Sequence, residues 1–169
     1  MTQNPNDSRL LTPGPLTTSQ ETKLAMLHDW GSRDTEFIEI NRRFRKQLLE
    51  MASAEPTHVC VPMQGSGTFI VEAVLGSLIP PEGKALILIN GAYGRRMTKM
   101  MDYLKREYLV HETPEDTVPI LTQLDSTLAR DSKISHVLVV HCETTSGILN
   151  PIDEIANIVA RHARSLLID

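Results

Sequence analysis

The sequence predicts an α/β fold, a mostly parallel sheet with helices on both faces. Short apolar runs alternate with longer segments in which apolar residues recur at helical spacing. The run at residues 84–90 is almost entirely apolar, which is typical of a strand covered on both sides. Clusters of glycine, proline and asparagine separate the segments. Such an alternation indicates parallel strands, and ligands of parallel sheets bind beyond the carboxyl ends of the strands.

The composition indicates one domain with an aliphatic core. The chain has 169 residues, of which 41% are hydrophobic and 4% aromatic. Its formal net charge is −4 and it has no apolar stretch long enough to span a bilayer, so neither nucleic acid nor a membrane is an expected partner. Cys60 and Cys142 both lie in apolar runs. We expect them to be buried free thiols in a reducing cytoplasm.

The first part of the chain is expected to be a disordered lead-in at residues 1–9, followed by an extended loop at residues 10–16 that contains two prolines. Ser19 is expected to cap a short helix that reaches about His28. A second helix should begin at Asp34 or Thr35. Its apolar residues recur at helical spacing, whereas its basic residues point to a solvated face. The apolar set is Phe37, Ile40, Phe44, Leu48 and Met51, and the basic set is Arg42, Arg43, Arg45 and Lys46.

A glycine-rich segment, Gly65-Ser66-Gly67-Thr68, lies between a predicted strand at residues 58–63 and a predicted helix at residues 69–79. A turn of this kind directs free backbone N–H groups at an anion, usually a phosphate, and Ser66 and Thr68 add hydroxyl groups. The segment is not a dinucleotide fingerprint, because Ile70 stands where the third glycine should be. It is not a Walker A loop either, because no Gly-Lys-Ser/Thr follows. An ordinary strand-to-helix connection is the alternative.

The rest of the chain continues the alternation. Strands are predicted at residues 84–90, 108–111 and 136–141 and from residue 165 onward. Asn150 is the predicted cap of the last helix, because Pro151 suits a first helical position and two acidic residues follow it. The predicted inward faces of the three later helices are Met97, Met100, Met101 and Leu104; then Ile120, Leu121, Leu124 and Leu128; then Ile152, Ile155, Val159 and Ala163.

Polar or aromatic side chains follow the carboxyl ends of four predicted strands. They are Ser66-Gly67-Thr68, Tyr93, Glu143-Thr144-Thr145 and Asp169. Together they suit a flat, phosphorylated, nitrogen-containing aromatic cofactor, as pyridoxal 5′-phosphate is. Ser66, Gly67 and Thr68 would hold the phosphate and Tyr93 would stack on the ring. Thr144 would contact the phenolic oxygen, and Asp169 would pair with the ring nitrogen.

A metal site is not expected at these strand ends. His141 and Glu143 are possible ligands, but the sequence supplies no third ligand beside them. Glu143 is instead expected to order the loop that carries Thr144. The predicted site residues are therefore expected to bind an organic cofactor and no metal ion.

Seven motifs closely resemble the 2-aminoethylphosphonate–pyruvate aminotransferase family, a class V, fold type I group of pyridoxal-phosphate enzymes. The resemblance extends from about residue 10 to residue 169. The combination of motifs is more specific than Gly-Ser-Gly-Thr alone. The motifs occupy residues 10–19, 64–68, 71–76, 90–94, 141–147, 149–153 and 167–169.

The resemblance implies a reaction in phosphonate degradation. The amino group of 2-aminoethylphosphonate passes to pyruvate, which gives phosphonoacetaldehyde and L-alanine. It implies the same cofactor residues as above, namely Ser66, Gly67, Thr68, Tyr93, Thr144 and Asp169. It also implies a homodimer, and it implies that residues 10–169 are the N-terminal part of the cofactor-binding large domain, truncated before the Schiff-base lysine and the small domain.

The resemblance places the Schiff-base lysine a little beyond Asp169, and none of the six lysines of this chain lies in the family's lysine context. We therefore expect no useful transaminase turnover from this chain alone. Two other hypotheses stay open on the sequence. One is a non-catalytic remnant of a disrupted aminotransferase gene. The other is an unrelated phosphate-binding α/β module, which would leave Tyr93 and Asp169 without roles.

Overall fold

The structure, a computed structural model, describes residues 8–12 and 14–169. The chain divides into two compact units, with the boundary between Pro62 and Met63. Most of the predicted disordered lead-in, residues 1–7, lies outside the described residues, as does Pro13 of the predicted entry loop. The predicted limits of the lead-in and of the large domain stay predictions.

The described residues of the first unit form two helices, α1 (Gln20–Ala25) and α2 (Thr35–Met51). Ser19 caps α1 as predicted, because its side chain accepts a hydrogen bond from the Thr22 N–H group. Asp34 is the N-cap of α2, also as predicted. The basic residues of α2 are exposed, but no residue of α2 is buried, and Met51 at its end keeps 82% of its surface exposed. The apolar spacing therefore predicted the helix α2 correctly, but its apolar residues do not form a buried core in this unit.

The second unit is built on a parallel four-stranded sheet. Its strands are β1 (Lys84–Ile89), β2 (Glu107–Glu112), β3 (Ile134–Val139) and β6 (Ser165–Ile168), in the order β2-β1-β3-β6. A small antiparallel hairpin pairs β4 (Cys142–Glu143) with β5 (Ile148–Leu149). The prediction of a mostly parallel sheet is confirmed.

Four helices cover the sheet: α3 (Gly67–Leu78), α4 (Ala92–Tyr103), α5 (Leu121–Arg130) and α6 (Ile152–Arg161). Residues of β1 alternate between two buried clusters. Ala85, Ile87 and Ile89 pack with the methionines of α4, whereas Leu86 and Leu88 pack with residues of α5 and α6. Because both faces of β1 are covered, its residues 85–89 are all apolar, which is why the sequence shows no alternation there.

The predicted strand at residues 58–63 is wrong. The segment forms no ladder with any described residue, and Val59 and Val61 keep 77% and 67% of their surfaces exposed. A strand requires a neighbour that exchanges backbone hydrogen bonds with it, and an apolar run in the sequence does not supply that neighbour. The glycine-rich turn therefore follows a segment that has no strand partner among the described residues.

Two predicted inward positions and one omitted position also need correction. Ile120 precedes α5, which begins at Leu121, and is 52% exposed. Ala163 is exposed with a positive φ of 53°, because α6 ends at Arg161 and the chain turns there toward β6. Ile158, which the predicted face omitted, is buried instead, with 7% of its surface exposed. In each case the observed end of the helix, or the side of the helix that faces the core, differs from the one that the apolar spacing predicts.

The two cysteines are free thiols, as predicted, but they are not both buried. Cys142 is exposed and Cys60 is half-buried. Cys142 lies in the β4–β5 hairpin, outside the main sheet, so the apolar run that preceded it in the sequence had already ended. Among the described residues no helix is both long and apolar enough to cross a membrane.

The histidines of the sheet predict a pH dependence of stability. His111 on β2 is half-buried, its Nε2 lies 3.1 Å from the Thr127 hydroxyl, and burial lowers its pKa below the ordinary value of 6.5. Burial also lowers the pKa of His136 on β3. The unfolded chain therefore binds more protons than the folded chain just below pH 6.5. The stabilisation that the neutral imidazoles provide is complete above that pH and is lost as the pH falls toward the folded-state pKa values.

We expect the free energy of unfolding to decrease as the pH is lowered through 6.5, as measured by urea denaturation followed by far-UV circular dichroism. His111→Gln should reduce this pH dependence, because glutamine can still meet Thr127 but does not titrate. The double variant with His136→Gln should reduce it further. An unchanged slope in the double variant would show that other groups cause the pH dependence.

Candidate functional site

The carboxyl ends of the parallel strands lie at one edge of the sheet in the second unit. Asn90 directly follows β1, Asp169 directly follows β6, and His141 is the second residue after β3. The Asp169 N–H group donates to the Val139 carbonyl oxygen, and the His141 N–H group donates to the Asp169 carbonyl oxygen, with 3.0 and 2.8 Å between the paired atoms. The ladder between β3 and β6 therefore extends to Asp169 and holds it at this edge.

The glycine-rich segment forms the start of α3. Ser66 is its N-cap and accepts a hydrogen bond of 3.2 Å from the Phe69 N–H group. Gly65 has a φ of +133°, and a Cβ atom there would lie 2.8 Å from the Phe69 ring, so this position requires glycine. A Cβ atom on Gly67 would meet nothing within 4 Å. Because the first N–H groups of a helix have no intrahelical partner, the start of α3 supplies backbone donors, and Gly67 leaves space for a ligand there.

Arg96 on α4 connects two of the predicted site residues. Its Nη1 donates a hydrogen bond of 2.7 Å to the Thr68 hydroxyl oxygen, and its guanidinium carbon lies 4.5 Å from the centroid of the Tyr93 ring. The sequence reasoning missed Arg96. The spacing in the sequence could have identified it, because Arg96 follows Tyr93 by three residues and therefore lies on the same side of the helix.

Glu143 is completely buried and joins α4 to the β4–β5 hairpin. Its Oε1 accepts a hydrogen bond of 2.8 Å from the Thr145 hydroxyl and longer ones, of 3.4 Å, from the N–H groups of Thr145 and Tyr93. Its Oε2 has no hydrogen-bond partner among the described residues. A Cβ atom on Gly91 would lie 2.2 Å from the Glu143 side chain. These contacts agree with the expectation that Glu143 orders the loop.

Thr144 lies at the exposed turn of this hairpin, between Glu143 and Thr145. The turn is closed by the Gly147 N–H group, which donates a 2.7 Å hydrogen bond to the Glu143 carbonyl oxygen. Thr145, rather than Thr144, makes the internal hydrogen bonds. The Thr144 side chain is therefore left available at the surface, and its predicted contact with a cofactor stays a prediction.

Asp169 borders a small apolar cavity of about 200 Å³, whose lining includes Val71, Met97 and Leu167. Although the residue as a whole is exposed, burial of its carboxyl group raises its pKa above the ordinary value. The nearby Glu143 carboxylate raises this pKa further, and Arg96 lowers it in part. Asp169 is thus within electrostatic reach of both connecting residues.

Asn150 does not cap α6 as predicted. Its side chain is buried and forms a reciprocal pair with Asn90, with hydrogen bonds of 2.8 and 3.1 Å, and it also donates to the Val140 carbonyl oxygen. The N-cap position belongs to Pro151. The amide pair joins the segments that follow β1 and β3. Local capping statistics could not reveal a partner 60 residues away.

The residues present fit a phosphorylated pyridine. Two hydroxyl groups, unpaired helix N–H groups and a guanidinium group provide donors for a dianionic phosphate. An aromatic ring and a carboxylate with an apolar border provide a stacking surface and a partner for a ring nitrogen. Thr68, Arg96, Tyr93 and Glu143 are connected by direct contacts, and Asp169 by electrostatic interaction with two of them.

The architecture is that of fold type I pyridoxal-phosphate-dependent aminotransferases, and the chain covers less than half of each such structure. The whole chain superimposes with a TM-score of 0.85 on 43% of pyridoxamine–pyruvate aminotransferase from Mesorhizobium loti, at 24% sequence identity. It superimposes equally well on 45% of alanine–glyoxylate aminotransferase from a Nostoc species, at 25% identity. No family model matches the sequence.

Sequence similarity is much higher to a particular group of relatives. Over 160 residues, 95% of this chain, it is 49% identical to a 2-aminoethylphosphonate–pyruvate transaminase from Pseudomonas aeruginosa. It is 51% identical over the same length to proteins of that name from Pseudomonas fluorescens and Pseudomonas putida. The chain spans 43–44% of the length of these relatives. The resemblance stated from the motifs is confirmed.

Proposed function

We propose that this chain supplies the cofactor-binding part of a 2-aminoethylphosphonate–pyruvate aminotransferase that uses pyridoxal 5′-phosphate and acts as a cytoplasmic homodimer. Ser66, Gly67 and Thr68 hold the phosphate, Tyr93 stacks on the ring and Thr144 contacts its phenolic oxygen. Asp169 pairs with the ring nitrogen. The intact protein transfers the amino group of 2-aminoethylphosphonate to pyruvate, giving phosphonoacetaldehyde and L-alanine.

The observation that carries this proposal is the clustering of Thr68, Tyr93 and Asp169 around Arg96 in one compact unit. A generic phosphate-binding module would need the start of α3 but would have no use for an aromatic ring and a carboxylate beside it. The roughly 50% identity to relatives of one name supports the particular substrates.

Each residue has a distinct task in the proposed function. The bound cofactor supplies an electron-accepting ring that stabilises negative charge on a substrate carbon. Asp169, when ionised, holds a proton on the ring nitrogen and so maintains that acceptor. Its raised pKa in the free chain reflects burial beside Glu143, and a positively charged ring would favour the ionised form. Tyr93 sets the plane of the ring, and the start of α3 sets the position of the phosphate.

No lysine of this chain is proposed to form the Schiff base. Lys84, for example, pairs with Glu107 and Asp131 at distances of 3.0 and 2.8 Å, at the amino end of β1 and therefore at the opposite edge of the sheet. We expect purified residues 1–169 to form no alanine from 2-aminoethylphosphonate and pyruvate beyond what free cofactor forms. Alanine formation well above that level would assign the lysine role to this chain after all.

Binding of pyridoxine 5′-phosphate tests the proposed site directly. This probe has the ring and the phosphate but no aldehyde, so surface lysines cannot trap it. We expect saturable binding to residues 1–169 by isothermal titration calorimetry. Tyr93→Ala and Asp169→Asn should each raise the Kd about tenfold, because they remove the stacking surface and the ring-nitrogen partner.

Tyr103→Ala is the matched control, because Tyr103 lies at the end of the same helix and is 79% exposed. It should leave the Kd unchanged. The absence of saturable binding by the unsubstituted chain would contradict the proposed site. The substrate assignment is tested separately, by replacing the matched segment of the Pseudomonas aeruginosa relative with residues 1–169. That chimaera should retain activity with 2-aminoethylphosphonate and pyruvate, and inactivity of a folded chimaera that binds the cofactor would contradict the assignment.

A further inference from the structure

We propose that Arg96 is a positioning residue of this site, which directs the Thr68 hydroxyl at the bound phosphate and holds the Tyr93 ring in its stacking orientation. The inference rests on the proposed function and adds to it a residue outside the motif-derived site set. It depends on the placement of one guanidinium group against two side chains from different helices, α3 and α4.

The hydrogen bond to Thr68 determines the direction of the hydroxyl proton. Arg96 Nη1 can only donate, so the Thr68 oxygen, 2.7 Å away, is the acceptor. The one proton of that hydroxyl is then free to point away from Arg96. A hydroxyl that accepts from a cation is also a stronger donor, because hydrogen bonds in a chain polarise one another. A free threonine hydroxyl can either donate or accept a hydrogen bond. Because the Thr68 oxygen accepts from Arg96, its proton is left to donate to an anion.

The contact with Tyr93 restrains the ring. The guanidinium carbon lies 4.5 Å from the ring centroid, within the range of a cation–π interaction, and both residues are half-buried. Arg96 covers one face of the ring and so limits the orientations that the ring can adopt. Lysine cannot reproduce this arrangement, because it lacks a planar group that stacks and donates at the same time.

Arg96 also differs from its neighbour Arg95. Arg95 forms ion pairs with Glu112 and Glu115, at 2.8 and 2.9 Å. Within the described part of the chain Arg96 forms no ion pair, although it is the less exposed of the two. Its positive charge is therefore not neutralised by direct contact with a carboxylate, which favours an anionic ligand next to Thr68.

The test is the affinity of residues 1–169 for pyridoxine 5′-phosphate and for unphosphorylated pyridoxine. Arg96→Gln should raise the Kd for pyridoxine 5′-phosphate about tenfold or more, and Arg96→Lys should recover only part of the loss. Arg95→Gln, the control on the next residue, should change the Kd by less than about twofold. For pyridoxine the effect of Arg96→Gln should fall to about threefold, the part transmitted through Tyr93.

A double-mutant cycle separates positioning from a merely structural role. In a Thr68→Val background, Arg96→Gln should have a clearly smaller effect on the Kd than in the unsubstituted chain, because the hydroxyl that it orients is gone. Fully additive effects would overturn the orienting role. An unchanged Kd for Arg96→Gln, in a protein whose unsubstituted form binds the probe, would overturn the inference while leaving the proposed function intact. If the unsubstituted chain does not bind the probe, both fail.

Discussion

Replacing Gly91 with alanine should lower the free energy of unfolding by about 3 kcal/mol. A Cβ atom at this position would lie 2.2 Å from two carbon atoms of the Glu143 side chain, far inside van der Waals contact. Glu143 is completely buried, so its side chain cannot move aside into solvent. The substitution forces overpacking, which typically costs about 1–3 kcal/mol, and disturbs hydrogen bonds to a buried carboxylate, which adds about 1–3 kcal/mol.

Urea denaturation followed by far-UV circular dichroism measures this effect. Circular dichroism is the suitable signal because the single tryptophan, Trp30, lies in the first unit and Gly91 lies in the second. Gly76→Ala is the control, since Gly76 lies inside α3 and a Cβ atom there would meet Leu104 at an ordinary 3.5 Å. Alanine should be neutral or stabilising by up to about 1 kcal/mol at that helical position. Equal stabilities of the two variants would show that the Glu143 side chain can move away from the new Cβ atom at little cost in free energy.

The same substitution should weaken ligand binding. Glu143 accepts hydrogen bonds from both the Tyr93 N–H group and Thr145, so a displaced carboxylate misplaces the start of α4 and the hairpin that carries Thr144. We expect Gly91→Ala to raise the Kd for pyridoxine 5′-phosphate by at least tenfold in the fraction that remains folded. An unchanged Kd would mean that Tyr93 does not depend on Glu143 for its position.

Substitution of the buried amide pair should have a comparable effect on stability. Asn150→Ala removes both hydrogen bonds to Asn90 and the one to the Val140 carbonyl oxygen. Asn90 and Asn150 keep only 2% and 4% of their surfaces exposed, so water cannot readily replace the lost partner. We expect a loss of about 2–4 kcal/mol in the free energy of unfolding, because unsatisfied buried polar groups cost about 1–3 kcal/mol each.

Asn157→Ala is the matched control, because Asn157 is exposed on α6, the helix that follows Asn150. It should change stability by less than about 0.5 kcal/mol. The double variant Asn90→Ala/Asn150→Ala should be less destabilised than the sum of the single variants, by about 1–2 kcal/mol, because the second substitution removes a group already left unpaired. Strict additivity would show that the two amides do not act as a pair.

The sequence alone was sufficient for the fold class, and it supplied every residue of the proposed site except Arg96. Apolar runs at residues 85–89 and 137–140 identified β1 and β3, because strand positions that are covered on both faces are apolar. Helical spacing identified the buried methionines of α4. The glycine-rich segment indicated a helix at residues 69–79, and α3 begins two residues earlier, where the Ser66 side chain caps it.

The tertiary structure alone decided which groups meet across the site. Asn150 looked like a helix cap in sequence but pairs with Asn90, and residues 58–63 looked like a strand but find no partner among the described residues. Arg96 contacts Thr68 on another helix, and Gly91 is required by a carboxylate 52 residues away in the chain, at Glu143. These contacts depend on how the strands are ordered and how the helices pack on them. Local propensity and periodicity carry no record of such long-range pairings, so they became visible only in the folded chain.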